Sequence, residues 1–387
     1  MSVTGPAGFV AGGVACGVKA SGDPDLAVVA TASGRAVPAA GVFTANKATA
    51  APVLVSRAHL ASSGGRAAAV VLSSGNANAA TGAGGIADAE RMCELAADAL
   101  RCPPTEVLVC STGLIGFPLP MDRLEEGIPA AATRLGPHGG GAAAEAIRTT
   151  DTVRKEVLVD GDGFSVGGMA KGSAMLAPNM ATMLAVLTTD ADATPAQLHE
   201  ALSAGVATSF NVLSTDGCTS TNDTVLLMAS GVAGPVDDGA LRSAVAEACA
   251  GLARQMAGDA EGATKVVTVR VVRAASDEDA VAAARRVADS ALCKCSWYGQ
   301  DPYWGRVVSE AGSCGAAFDQ DRVSVSYGGI TVCRDGVAAM HDVGALQQVM
   351  AERELELVVD LGLGDGKGTI LTNDLTHAYV DENMGTS

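Results

Sequence analysis

The sequence predicts an α/β fold, on two observations. Segments of strand-like and helix-like periodicity alternate along the whole length, and the composition suits tight packing of small side chains. Apolar residues make up 48% of the chain and charged ones 18%, which is the balance of a packed protein and excludes disorder as the main state. Aromatics are only 3%, so Ala, Val, Leu and Met must fill the core, and 47 Gly supply turns and close backbone contacts.

The elements follow in chain order. Arg66 to Leu72 (RAAAVVL) reads as a buried strand, and Ile86 to Leu100 carries apolar residues at helical spacing with charges opposite. Ser73 to Gly82 (SSGNANAATG) between them reads as a polar loop. Lys155 to Val159, the turn Asp160-Gly161-Asp162-Gly163 and Phe164 to Val166 read as a hairpin, since Asp-Gly supplies the positive φ of a tight turn. Thr194 followed by Pro195 starts a helix running to about Thr208, and a second long helix covers Asp238 to about Met256. Val266 to Val272 is a strand, Glu278 to Leu292 a helix and Leu355 to Leu361 a late strand. Gly136 to Gly141 and Gly161 to Gly168 are the linker candidates.

A length of 387 residues implies two or three structural units. The formal charge of −17 repels phosphate backbones and anionic membrane surfaces, so nucleic-acid and membrane partners are disfavoured. No apolar run reaches the roughly 18 residues of a bilayer span, and the start MSVTGPAGFVAGG lacks a basic region followed by a clean apolar one. The expectation is a cytoplasmic, soluble protein. Ten scattered cysteines without zinc-site spacing read as buried, reduced thiols, and five histidines form no H-x-x-x-H pair. Leu361 to Thr369 (LGLGDGKGT) imitates a phosphate loop. Only three residues separate Gly362 from Gly366, and Lys367 is followed by Gly368, so a turn after a strand is the better reading.

Gly168 to Leu184 (GMAKGSAMLAPNMATML) differs in kind. An apolar run that would otherwise make a core helix contains Lys171, whose desolvated ammonium requires an anion, and Thr182 eleven residues later. A threonine nucleophile needs a base, and no His, Asp or Glu stands between 172 and 185. Cutting the Ala181–Thr182 bond solves this, because the α-amine released on Thr182, with an ordinary pKa near 7.7–8.0, takes the proton from its own hydroxyl.

On these residues the sequence resembles the glutamate N-acetyltransferase, or ornithine acetyltransferase, family of arginine biosynthesis. The resemblance runs through Ser73 to Gly82, Ser111 to Gly116 (STGLIG), Thr149 to Thr152 (TTDT), Lys171 to Leu184, Ser220 to Thr224 (STNDT), Glu261 to Lys265 (EGATK), Asp301 to Arg306 (DPYWGR) and Thr372 to Tyr379 (TNDLTHAY). It implies mixed β-sheets sandwiched by helices, the fold shared with self-cleaving aminopeptidases, and a precursor that cuts itself between Ala181 and Thr182 into an α chain of residues 1–181 and a β chain of 182–387. It further implies a ping-pong transfer of acetyl from N2-acetylornithine through Thr182 to glutamate. Thr112 and Gly113 would stabilise the oxyanion, and Thr149, Lys171, Glu261, Asn383 and Ser387 would bind substrate beside Thr182. Lys171 would meet the shared α-carboxylate and Glu261 the ornithine ammonium. No metal or organic cofactor is implied, although acetyl-coenzyme A is a candidate second donor, and the assembly is an α2β2 heterotetramer. A self-cleaving amidase or aminopeptidase of the same fold is the alternative, and an uncleaved binding protein is a third reading.

Overall fold

The computed structural model describes residues 2–176 and 183–385. The strands of the first half are β1 (Phe9–Val14), β2 (Leu26–Thr31), β3 (Val37–Phe43), β4 (Arg66–Ala67), β5 (Ala69–Asn76), β6 (Val107–Leu114), β7 (Lys155–Asp160) and β8 (Ser165–Lys171). There follow β9 (Leu184–Asp192), β10 (Leu213–Ser214), β11 (Thr224–Pro235), β12 (Val266–Ala274), β13 (Ser324–Tyr327), β14 (Ile330–Arg334), β15 (Val337–Ala338), β16 (Glu354–Asp360) and β17 (Gly366–Asn373). The helices are α1 (Ala51–Ser62), α2 (Gly82–Leu100), α3 (Met121–Ala132), α4 (Gly140–Ala146), α5 (Pro195–Ala207), α6 (Asp238–Gly258), α7 (Asp277–Asp289), α8 (Ala291–Tyr298), α9 (Trp304–Gly312), α10 (Val343–Ala351) and α11 (His377–Glu382). The protein is mixed α/β and divides into two units.

The first unit holds residues 2–211 and 218–256 and is built on two sheets, ordered β1-β2-β5-β6 and β4-β3-β11-β9-β8-β7. Alternation along the strands decides which side chains go where. Ala27 and Val29 of β2 and Val70 and Leu72 of β5 face a core shared with Met169, Leu184, Val186, Leu226 and Met228 of the six-stranded sheet. Leu26, Val28, Val71, Val107 and Val109 face the opposite way, into a core covered by α1, α2 and α3. The outer side of the six-stranded sheet lies under α6, where Leu252 and Leu187 both come within contact distance of a Cβ placed at Gly168. The result is helix, sheet, sheet, helix, as the family resemblance implies.

The second unit holds residues 212–217 and 257–385 around one sheet, ordered β10-β17-β12-β16-β13-β14-β15. Val267, Val269 and Val271 alternate with Thr268 and Arg270 along β12, so one face forms a core with α7, α8, α9 and α10. The other face is polar, and Arg270 and Glu356 pair across it at 3.1 Å.

Several sequence expectations need correction. Ser73–Asn76 are strand and not loop, because they continue the parallel pairing of β5 with β6, with Ser73 opposite Ser111 and Ser74 opposite Thr112. The helix expected over Glu278 to Leu292 breaks at Ser290, whose Oγ accepts from the Cys293 N–H and starts α8. Neither glycine run is a linker between units. A Cβ on Gly139 would lie 1.7 Å from the Ala11 carbonyl oxygen and one on Gly167 2.3 Å from that of Ser2, so those glycines permit close packing inside the first unit. Gly168–Lys171 and Leu184 are strand, not helix, and residues 177–182 lie outside the described ones. Cys218 and Cys295 are exposed and Cys16, Cys102 and Cys314 are only partly buried, so the reading of the cysteines as buried thiols holds for the other five.

Candidate active site

The end of β6 carries the first candidate residues. Thr112 is buried, and Gly113 follows at φ 129°, a left-handed conformation that disfavours other residues. A Cβ there would also sit 2.3 Å from the Gly75 carbonyl carbon, so the adjacent strand leaves room only for glycine. Lys171, the last residue of β8, is 3% exposed, and its Nζ donates to Thr112 Oγ1 at 3.3 Å. A hydroxyl that accepts from an ammonium keeps its own hydrogen for another acceptor. The pair therefore offers an O–H donor beside a positive charge, the requirement for stabilising a developing oxyanion.

Asp151 organises the residues around Lys171. Its Oδ1 accepts from Lys155 Nζ at 2.6 Å and from the Gly172 N–H at 2.7 Å, and its Oδ2 accepts from the Thr149 N–H at 3.1 Å. Burial pushes the Asp151 carboxyl up, but Lys171, Lys155 and the Gly172 N–H outweigh it and bring the pKa down to about 2. Thr149 and Lys171 are thus joined through one buried carboxylate. Thr150 Oγ1 and Ser173 Oγ, 2.7 Å apart, add a second tie between the same segments.

Met183, which follows Thr182 in the sequence, donates its N–H to Asp223 Oδ1 at 2.8 Å, and Leu184 pairs with Lys171 between β9 and β8. Asp223 is fully buried, which pushes its carboxyl well above the usual range against the opposing pull of the Met183 N–H, Ser220 and Lys171.

The second unit holds the other two described candidates. Asn383 donates from Nδ2 to Glu261 Oε2 at 2.8 Å, although 122 positions separate them. The two motifs that contain or flank them are bound together. Thr264 and Lys265 donate their N–H groups to Asp374 Oδ1, each at 2.9 Å, and Asn373 Nδ2 donates to the Lys265 carbonyl at 2.9 Å. Gly262 has φ 61°, and a Cβ there would lie 2.3 Å from the Tyr379 nitrogen, so the Glu261 turn requires glycine to reach α11.

The structure therefore joins Thr112, Gly113, Lys171 and Thr149 in one unit and Glu261 with Asn383 in the other. Ala181, Thr182 and Ser387 lie outside the described residues. Sequence reasoning missed Asp151, Asn222 and Asp223 as individuals. Each stood inside a quoted motif, TTDT or STNDT, but only the fold shows what its side chain holds.

The ArgJ family matches residues 10–385. The chain belongs to the ArgJ family. Relatives named arginine biosynthesis bifunctional protein ArgJ include that of Streptomyces coelicolor, 50% identical over all of both chains. That of Mycobacterium tuberculosis is 49% identical over all of this chain and 96% of its own. Membership makes the chain an acyltransferase of arginine biosynthesis, a bifunctional ornithine acetyltransferase (glutamate N-acetyltransferase). Among solved structures, the ornithine acetyltransferase of M. tuberculosis complexed with ornithine is 46% identical over 47% of this chain and 96% of its own, with a TM-score of 0.44. The ArgJ protein of Bacillus halodurans is 34% identical over 51% of this chain and 95% of its own, with a TM-score of 0.49. Among the described residues no cluster of three or more His, Cys, Asp or Glu side chains is placed to hold a metal ion, and no helix is long and apolar enough to cross a membrane.

Proposed function

We propose that the chain cuts itself between Ala181 and Thr182 and that the freed Thr182 carries acetyl between substrates. The Thr182 hydroxyl attacks the Ala181 carbonyl, the acyl group moves from nitrogen to oxygen, and water hydrolyses the ester. A carboxylate is left on Ala181 and an α-amine on Thr182. That amine then takes the hydroxyl proton as Thr182 Oγ attacks the acetyl carbonyl of N2-acetylornithine. The proton passes to the departing α-nitrogen, ornithine leaves, and an acetyl ester remains. The α-amine of glutamate attacks this ester, giving N-acetylglutamate and restoring the hydroxyl. In the second activity Thr182 Oγ attacks the thioester of acetyl-coenzyme A, the C–S bond breaks, coenzyme A leaves as its thiol with the proton, and the same acetyl ester passes to glutamate.

The observation that carries this reading is the buried contact of Lys171 with Thr112 Oγ1 beside the constrained Gly113. It supports Thr112 O–H and the Gly113 N–H as oxyanion donors and Lys171 as the partner of the α-carboxylate that both substrates share. Thr149 adds a neutral hydroxyl. Glu261, oriented by Asn383, suits the side-chain ammonium of ornithine. Ser387 completes the substrate contacts in this proposal, and the assembly contains two copies of each cut chain in the cytoplasm.

Intact-mass spectrometry of the purified protein tests the first step. Two species with a boundary between Ala181 and Thr182 are expected, whereas Thr182→Ala should give one uncut chain without transfer. Cleavage persisting in that variant would show that another group is the nucleophile. Incubation with acetylornithine, with and without glutamate, separates transferase from amidase. Equal acetate release in both would favour the amidase.

A further inference from the structure

The loop Ser220–Thr224 has no part in the scheme above, yet Ser220, Asn222, Asp223 and Thr224 are all buried in the first unit. Its two central side chains reach in different directions. Asn222 Nδ2 donates to the Ser111 carbonyl at 2.9 Å and to the Ala77 carbonyl at 2.6 Å, so it holds the residue immediately before Thr112. Asp223 Oδ1 accepts from the Met183 N–H, which belongs to the peptide bond joining Thr182 to Met183. One dipeptide thus holds the strand that carries Thr112 with one side chain and the Met183 N–H with the next. Backbone bonds fix the loop itself. The Asp223 carbonyl accepts from the Thr44 N–H at 2.9 Å, and the Thr224 N–H donates to the Met183 carbonyl at 3.2 Å.

A carboxyl kept only to stabilise the fold is normally satisfied at both oxygens. Asp223 is not. Its Oδ2 is buried without a hydrogen bond of normal geometry among the described residues, although the Ser220 hydroxyl pulls on the carboxyl, while Oδ1 accepts from the Met183 N–H. We propose that Asn222 and Asp223 are positioning residues for acetyl transfer, Asn222 setting the strand that carries Thr112 and Gly113 and Asp223 setting the peptide that follows Thr182. The inference rests on Thr182 as the nucleophile. Its physical basis is that transfer needs nucleophile and oxyanion donors aligned on one carbonyl, and an error of about 1 Å in that alignment costs on the order of 100-fold in rate.

The experiment compares Asp223→Ala, Asp223→Asn and Asn222→Ala for kcat, KM for acetylornithine, extent of cleavage and Tm. Asp223→Ala should lower kcat about 100-fold with KM held within about twofold. Asp223→Asn retains an oxygen that accepts from the Met183 N–H, so it should recover to within about tenfold of the parent. Asn222→Ala should again lower kcat and not KM. An Asp223→Ala chain that stays uncut while Asp223→Asn is cut also supports the proposal. A parental kcat in Asp223→Ala, or equal losses in Ala and Asn variants that track a common fall in Tm, would overturn it. Should Asp223→Ala fail to fold, an unchanged kcat in Asn222→Ala overturns it instead. Thr182→Ala run beside them keeps the two readings apart. Activity lost there but kept in the loop variants sinks the positioning role alone, and activity kept there sinks the nucleophile.

Discussion

Asp151 shows how one residue can tie a site together and make its stability depend on pH. The carboxylate lies between Lys155 and Lys171 and is held well below its ordinary range, at a pKa of about 2. A carboxyl whose folded pKa is depressed stabilises the protein above its unfolded value, near 4, and loses that contribution as pH falls toward 2. The effect is on the order of 2 kcal/mol. Asp151→Asn is expected to lose about 2–3 kcal/mol at pH 7, and the gap from the parent should narrow between pH 4 and pH 2.5 in urea unfolding. A gap that stays constant across that range would mean the two lysines do not act through this carboxylate. Gly113→Ala tests the turn beside Thr112. The positive φ and the 2.3 Å approach to Gly75 leave no space for a methyl group, so transfer should fall at least about 100-fold. Among these residues the sequence revealed identities and not partnerships. Thr112, Gly113, Thr149, Glu261 and Asn383 come from family resemblance alone, whereas Lys171 also stands out as a lone charge in an apolar run. The Glu261–Asn383 bond spans 122 positions, a separation at which no local periodicity carries information.

The elements were most legible where local chemistry decides them. Thr194 accepts from the Gln197 N–H and Gln197 Oε1 accepts in return from the Thr194 N–H, with Pro195 at the first helical position. Thr194→Ala should therefore cost about 1 kcal/mol by chemical denaturation, with kcat and KM unchanged, since α5 packs on β3 and holds no site residue. A loss below a few tenths would show that Pro195 and packing suffice to start the helix. The strand Val266–Ala274 and the hairpin of β7 and β8 were equally readable from alternation and from Asp-Gly. Legibility failed where tertiary pairing overrode composition. Ser73 to Asn76 look like loop, but a parallel partner satisfies their backbone, and Ser73 Oγ donates to Ser111 Oγ at 2.9 Å. The glycines of LGLGDGKGT look functional in isolation. In the fold Gly366 and Gly368 let β17 lie against α7, where Cβ atoms would come within 2.2 Å of Ser276 and 2.6 Å of Val281.

The arrangement of the six-stranded sheet sets what cleavage would do to the whole molecule. In the order β4-β3-β11-β9-β8-β7, the two central strands follow position 182 and the four outer ones precede position 181. A cut between Ala181 and Thr182 would leave β9 bonded to β8 over the register Val166↔Thr189 to Lys171↔Leu184, and β11 bonded to β3 from Thr224↔Phe43 to Met228↔Ala39. Met169 would still share a core with Leu184, Val186, Leu226 and Met228, all at most 1% exposed. Burying each such side chain contributes roughly 1.5–3 kcal/mol, and separating the chains would expose them together. The two cleavage products should therefore elute as one species in size-exclusion chromatography of the native protein and part only in denaturant. Adding urea should release both chains at the midpoint of the loss of secondary structure, because neither can keep its half of the sheet alone. If one chain dissociates at a lower urea concentration while the other stays folded, the strands on the two sides of position 181 are not held as a single cooperative sheet.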